Sequence, residues 1–221
     1  MSTIGKTAIK NLIAIPALIT LAVTLLRLAG ELLNWSNLLF NKAAGGGGAL
    51  IGIAWLVPIF GIYFTRRLLK SNDQPASAGR LFAFAALGLI VFAALFALAL
   101  QLPNGSIGQM LVVIVAAAGS LVLARRAWPA LFSVLFAYGL AARFPVIVIM
   151  FMAIMGNWGT HYDAPPPNLP PEIAPLTRWI VTGLIPQLTL WMVFTVTIGM
   201  IFGGLAFAAT ARKPVLAKAA S

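Results

Sequence analysis

The sequence predicts an all-α, polytopic membrane protein: one domain-sized unit, 1–221, forming a bundle of about six spanning helices with both termini cytoplasmic. Three observations carry this. First, the 221-residue chain is 61% hydrophobic and 9% charged, with a mean hydropathy of +0.99, whereas soluble domains carry about 25% charged residues. Second, the apolar residues form continuous runs of spanning length, unlike the alternating pattern of barrel strands. Third, eleven of the fifteen basic residues fall in short clusters between those runs. The clusters are Lys6 with Lys10; Arg66, Arg67, Lys70 and Arg80; Arg125 with Arg126; and Arg212, Lys213 and Lys218.

The first run covers 11–33. Its basic start resembles a signal peptide, but Arg27 stands where a small residue should precede cleavage, so it reads as an uncleaved spanning helix. The remaining runs cover 49–65, 81–102, 108–124, 129–156 and 186–210. Pro58 and Pro145 fall inside runs and are expected to kink them. Pro186 is expected to open the last helix after an interfacial turn over 179–184. The pairs Gly48/Gly52 and Gly199/Gly203 have the spacing that lets helix backbones approach, within the chain or across a homo-oligomer face.

The positive-inside rule fixes the sidedness. Loop 66–80 and the turn 125–126 go to the cytoplasm; 34–48, the turn 103–106 and 157–178 go outside, where the first and last of these form a small cap. Trp35, Trp158 and Trp179 then fall at the outer interface and Tyr63 and Trp128 at the inner one, the depths amphipathic rings prefer. Trp55 and Trp191 fall inside runs and read as packing residues. The expected location is a cell membrane, taken as a bacterial inner membrane. The expected partners are the bilayer, anionic headgroups at the cytoplasmic basic clusters, and a homo-oligomer or larger membrane complex. Nucleic acid is not expected despite the net charge of +11, because the basic residues form no continuous face.

Several chemistries are excluded. There is no cysteine and one histidine, His161, so disulfides, thiolate metal sites, iron–sulfur clusters and bis-histidine haem are ruled out within this chain. No cofactor or metal is expected. Zincin and serine-hydrolase motifs and paired intramembrane aspartates are missing, and Ser120 would need His161 to leave its loop to make a dyad.

Four polar features remain. Arg143 lies near the middle of the fifth run, which as a helix is about 40 Å long, so it sits close to the bilayer midplane. A charge there costs about 2.5–3.5 kcal/mol on insertion scales. No acid lies three or four residues away, so Arg143 needs a partner on another helix, a freed carbonyl such as that of Ala141, water, or an anionic ligand. Arg27 and Glu31 have the spacing of a helical ion pair. Glu31 is also the only acid inside a run, which makes an Arg27–Glu31–Arg143 cluster with one surplus positive charge conceivable.

The outer loop holds Trp158-Gly159-Thr160-His161-Tyr162-Asp163 before a proline-rich run. His161 and Asp163 could form an acid–base pair or part of a metal site, or could be solvated loop residues, and the string with Tyr162 could cap the bundle or dock a partner. Gly45 to Gly48, beside Lys42, could hold an anion at a helix start or serve as a joint.

The functional expectation is a non-enzymatic subunit or scaffold that binds a protein or lipid partner. The alternative is a small transporter or channel component with a polar site around Arg143, Glu31, Arg27 and Gln187, next to the breaks at Pro145 and Pro186. An outward polar cavity around Arg143 favours the alternative; a dry bundle with Arg143 held by carbonyls favours the first.

Overall fold

The computed structural model describes residues 6–46, 49–167, 169–170 and 172–211. Among them the chain is a helical bundle without strands: α1 Lys6–Leu32, α2 Leu56–Lys70, α3 Ala78–Ala99, α4 Ile107–Ala127, α5 Pro129–Gly156, then α6 Pro175–Trp179, a π turn Ile180–Leu184, α7 Ile185–Leu188 and α8 Leu190–Ala211. Local chemistry sets several boundaries. Ser77 and Ser106 cap α3 and α4 by accepting from the amides of Arg80 and Gln109, the usual role of a helix-start serine. Pro129 opens α5, where its missing N–H costs nothing, and Asn157 closes it in the left-handed region at φ 48°. Five helical stretches are long and apolar enough to cross a membrane: Ala8–Leu32, Ala78–Ala99, Ile107–Ala127, Pro129–Gly156 and Pro175–Thr210. Their outward faces carry exposed Ile15, Leu18, Ile90, Val115 and Phe144, which water would not tolerate as a belt but lipid favours.

Among the described residues the basic clusters gather at one end; Arg212, Lys213 and Lys218 lie outside the described residues. Trp128, at the α4–α5 corner, donates its indole N–H to Asp73 in the α2–α3 loop at 2.8 Å. Its ring also meets Phe207 of α8. Ile9, Leu12 and Ile13 of α1 pack beside Phe64, Leu68 and Leu131 in the same core. Lys10, Arg66, Arg67, Lys70, Arg80, Arg125 and Arg126 therefore share this basic end. The opposite, capped end carries 33–55, the turn 103–106 and 157–174.

The second span departs from expectation. The apolar run 49–65 was expected to be helical throughout, yet α2 begins only at Leu56 and continues through Arg66, Arg67 and Lys70. Fifteen residues make about 22 Å of helix, short of a hydrocarbon core of about 30 Å. The remaining distance to the capped end is covered by an irregular segment and a 3₁₀ turn, Ile53–Trp55. Pro58 consequently lies in the first turn of α2, where it starts the helix rather than kinking it.

The last helix also differs. It begins at Pro175 rather than Pro186, which shortens the outer loop to 157–174. Within it, the Ile185 N–H bonds the Ile180 carbonyl, one residue wider than α spacing, and Thr189 leaves helical geometry at φ −116°, ψ −84°. Pro186 has no N–H, so a carbonyl of the preceding turn loses its helical partner. α5, by contrast, runs unbroken through Pro145.

The glycines set close approaches of α2 to α8. A Cβ on Gly61 would stand 2.4 Å from the Gly199 carbonyl oxygen, and one on Gly203 would stand 2.4 Å from the Thr65 hydroxyl. Gly199 and Gly203 are thus used within the chain, between α2 and α8. Gly52 approaches the Arg27 guanidinium rather than a helix backbone, and Gly48 lies outside the described residues.

Candidate functional site: a cationic cavity at the capped end

Glu31 ends α1 fully buried. A buried carboxylate is tolerated only when its oxygens are hydrogen-bonded and its charge is opposed. Three donors supply this: Arg27 Nε at 2.9 Å, the His161 amide at 2.8 Å, and the His161 imidazole through Nδ1. Arg27 Nη2 in turn donates to the carbonyls of Asn41 and Gly46, at 3.1 and 3.0 Å. The sequence pair Arg27–Glu31 is therefore real, and it is a latch that ties both outer segments to α1. Gly46 makes this possible with φ +73°, and a side chain there would strike the His161 ring.

His161 is not the solvated loop residue that its flanks indicate. Its side chain is only 13% exposed, and because Glu31 is a carboxylate, Nδ1 must carry the proton. Burial holds the imidazole below its ordinary pKa of 6.5, helped by the Arg27 charge and opposed by the Glu31 hydrogen bond. Tyr162 inserts beside it with ring centroids 3.8 Å apart, and its hydroxyl reaches the Thr24 carbonyl at 3.4 Å. Burial raises that phenol's pKa well above the usual range. Asp163 does not face His161. Its carboxylate accepts from the Gly159 amide and from the amide and hydroxyl of Thr160, so it folds the turn that presents His161 and Tyr162. No acid–base pair forms, and no group of three or more metal-ligating side chains exists among the described residues.

Arg143 is 3% exposed. Contrary to the cluster conceived from sequence, its observed partners are on α8 and do not include Glu31. Nη2 donates to the Thr195 hydroxyl at 3.1 Å, and the guanidinium lies over the Trp191 ring at 5.0 Å. Thr195 passes its own proton to the Trp191 carbonyl at 2.7 Å, so its oxygen is free to accept from Arg143. The Ala141 carbonyl is not among these partners. Among the described residues Arg143 Nε has no hydrogen-bond partner, and neither has Gln187 Oε1; Gln187 Nε2 reaches the Met150 sulfur, at 3.8 Å.

Arg143, Arg27, His161 and Gln187 line one cavity of about 580 Å³, within the range typical of ligand sites, about 300–1,000 Å³. Among the described residues no acidic side chain lines it. Its floor is Arg143 with Trp191, its roof is Gly45, Gly46, Tyr162 and Pro166, and one wall is the irregular segment before α2. Exposed Gly45, Trp55 and Pro166 mark its mouth at the capped end. Non-helical backbone at membrane depth is tolerated where it lines a cavity, and residues Gly52 to Trp55 do so here.

Glu31 cancels Arg27, and His161 is neutral at pH 7, so the polar cluster keeps the charge of Arg143. Chemically the cavity can hold an anion. Its buried guanidinium is unopposed, and its orphaned donor and acceptor each carry a desolvation cost that a ligand would relieve. The serine–histidine alternative does not assemble: Ser120 is buried between α3 and α4 against Gly88, while His161 is bonded to Glu31.

Sequence reasoning singled out Arg143, Glu31, Arg27, Gln187 and Tyr162, and the structure brings all of them to this region. It missed Trp191 and Met150 as the immediate surroundings of Arg143 and Gln187. The signal available was the four-residue spacing of Trp191 and Thr195 on the last run. The fold and the site define a helical membrane protein with a cationic cavity let into its bundle. Comparison of the chain with known protein families, curated proteins and solved structures finds no match.

Proposed function

We propose that the protein binds an anionic molecule in this cavity, as a small transporter or the ligand-binding component of one. The observation that carries the reading is the buried Arg143 guanidinium, unopposed by any acid and lining an open cavity. The irregular segment before α2 and the breaks at Pro186 and Thr189 support it, because interrupted helices near mid-membrane are where transporters hold substrates. The scaffold reading draws on the outer loop as a docking surface; His161 and Tyr162, its most distinctive side chains, are turned into the bundle, which favours a ligand over a docked protein. The basic end faces the cytoplasm and the cavity opens to the other side, as the positive-inside rule requires.

The test is a tryptophan-fluorescence titration of the purified protein in nanodiscs with inorganic phosphate, since Trp191 stacks on Arg143. Saturable binding in the parent, a loss of at least tenfold in Arg143→Gln and partial retention in Arg143→Lys are expected. Equal affinities in the parent and Arg143→Gln overturn the proposal. Sidedness is checked by single-cysteine labelling, for which the cysteine-free chain is already a clean background: Ser36→Cys should label only from outside and Ser71→Cys only from within.

A further inference from the structure

A second cavity, of about 370 Å³, adjoins the first. Phe96, Pro166, Val181, Thr182, Pro186 and Leu190 line both. Beyond that shared wall the second cavity runs between α3, α4 and the interrupted last helix, past Ala99, Val113, Met110 and Ile185. It has no charged lining residue, and its surface is mostly apolar. The two spaces therefore adjoin along those shared residues, the first cationic around Arg143 and the second, its side arm, mostly apolar.

A small hydrophilic anion would use only the first limb and leave the second without an occupant. A cation, or an amphiphile with a neutral head, would leave Arg143 unopposed. We infer that the natural ligand is an anionic amphiphile with a single hydrocarbon chain: a phosphate or carboxylate head at Arg143 and Gln187, and a chain that crosses Phe96 and Leu190 into the side arm. The inference rests on the anion-binding reading and adds the chain to it. Phosphate and carboxylate share the chemistry the guanidinium recognises, a planar donor fork facing two oxygens. Gln187, whose oxygen lacks a partner, suits a head that also carries a hydroxyl or a protonated oxygen.

The probes are inorganic phosphate and the butyl, octyl and dodecyl monophosphates, with dodecanoate as the carboxylate arm, titrated into the protein in nanodiscs. Burying a methylene is worth roughly three- to fourfold in affinity, so the parent should bind octyl phosphate at least about 30-fold more tightly than butyl phosphate. Chain partitioning into the bilayer also favours long probes, so the decisive comparison is with variants whose side arm is filled. Ala99→Phe adds a ring from α3 and Val113→Trp adds one from the α4 wall. Each should flatten the chain-length dependence by at least tenfold while inorganic phosphate binds as in the parent. That unchanged phosphate affinity shows the variant is folded, and the second variant serves if the first fails to fold. An unchanged chain-length dependence in a variant that still binds phosphate overturns the inference and leaves the anion site standing. Loss of every Arg143-dependent response overturns both. Tighter dodecanoate than dodecyl phosphate identifies the head as a carboxylate, and the reverse as a phosphate.

Discussion

Replacing Glu31 with Gln tests the latch directly. The substitution keeps size but removes the charge that opposes Arg27, and it sets an NH2 group against donors that now need acceptors. Three hydrogen bonds are affected: one from Arg27 Nε and two from His161. Breaking a buried ion pair by removing one partner costs about 3–5 kcal/mol. At about 2–4 °C per kcal/mol for a chain of this size, the melting temperature should fall on the order of 10 °C. The assay is a tryptophan-fluorescence melt in detergent, which the six tryptophans make possible. Two double-mutant cycles give the reasoning its edge. With Arg27→Gln the losses should be strongly non-additive, by about 1–3 kcal/mol, because both residues belong to one pair. With Arg143→Gln they should add within about 0.5 kcal/mol, because no hydrogen bond or ion pair joins Arg143 to Glu31 and their partners differ. A coupling to Arg143 as large as that to Arg27 would refute the assignment of Arg143 to Thr195 and Trp191.

Four further outcomes are expected. Because the folded protein holds the His161 pKa below its unfolded value of 6.5, the unfolded chain binds more protons just below that pH. Stability should thus be full above about pH 6.5 and decline as the pH falls towards the folded pKa, and His161→Gln should remove this slope in a melt series from pH 8 to 5. Gly61→Val should abolish or strongly reduce folded, monodisperse protein in size-exclusion chromatography, because its Cβ would meet the Gly199 carbonyl at 2.4 Å. Gly79→Ala, where nothing lies within 4 Å, should change the melt by no more than about 0.5 kcal/mol. Trp128→Phe removes the bond to Asp73 and should cost about 1–3 kcal/mol, with faster amide exchange at 71–77 as the local signature.

The helical bundle and the sorting of basic residues were legible because both are written in composition along the chain. Arg143 was legible as an exception for the same reason: a charge deep in an apolar run needs an account. The start of α2 was not legible from hydropathy, which reads side chains rather than dihedral angles; Gly52, Ile53 and Trp55 are as apolar as the helix that follows. Pro58 held the missing clue, since a proline three residues into a helix marks its first turn. Glu31 was legible in its ion pair with Arg27 and not in its bonds to His161. Its nearest legible countercharge was Arg27 and its most needy one was Arg143, but a partner 130 residues away, on a loop of polar residues and prolines, leaves no periodic trace in either segment.

That separation has a consequence for biosynthesis. Arg27 and Glu31 emerge together, and as an i,i+4 pair they enter the membrane with their charges already cancelled. His161 follows 130 residues later, which at about 5–20 residues per second is on the order of 10 s of translation. During that interval α1 through α5 are made while Tyr162 and Pro166 of the roof, and Gln187 and Trp191 deeper in the cavity, are still to come. The arrival of His161 therefore comes late in assembly: until it is made, the buried Glu31 carboxylate has Arg27 alone, of its three donors, to hold it.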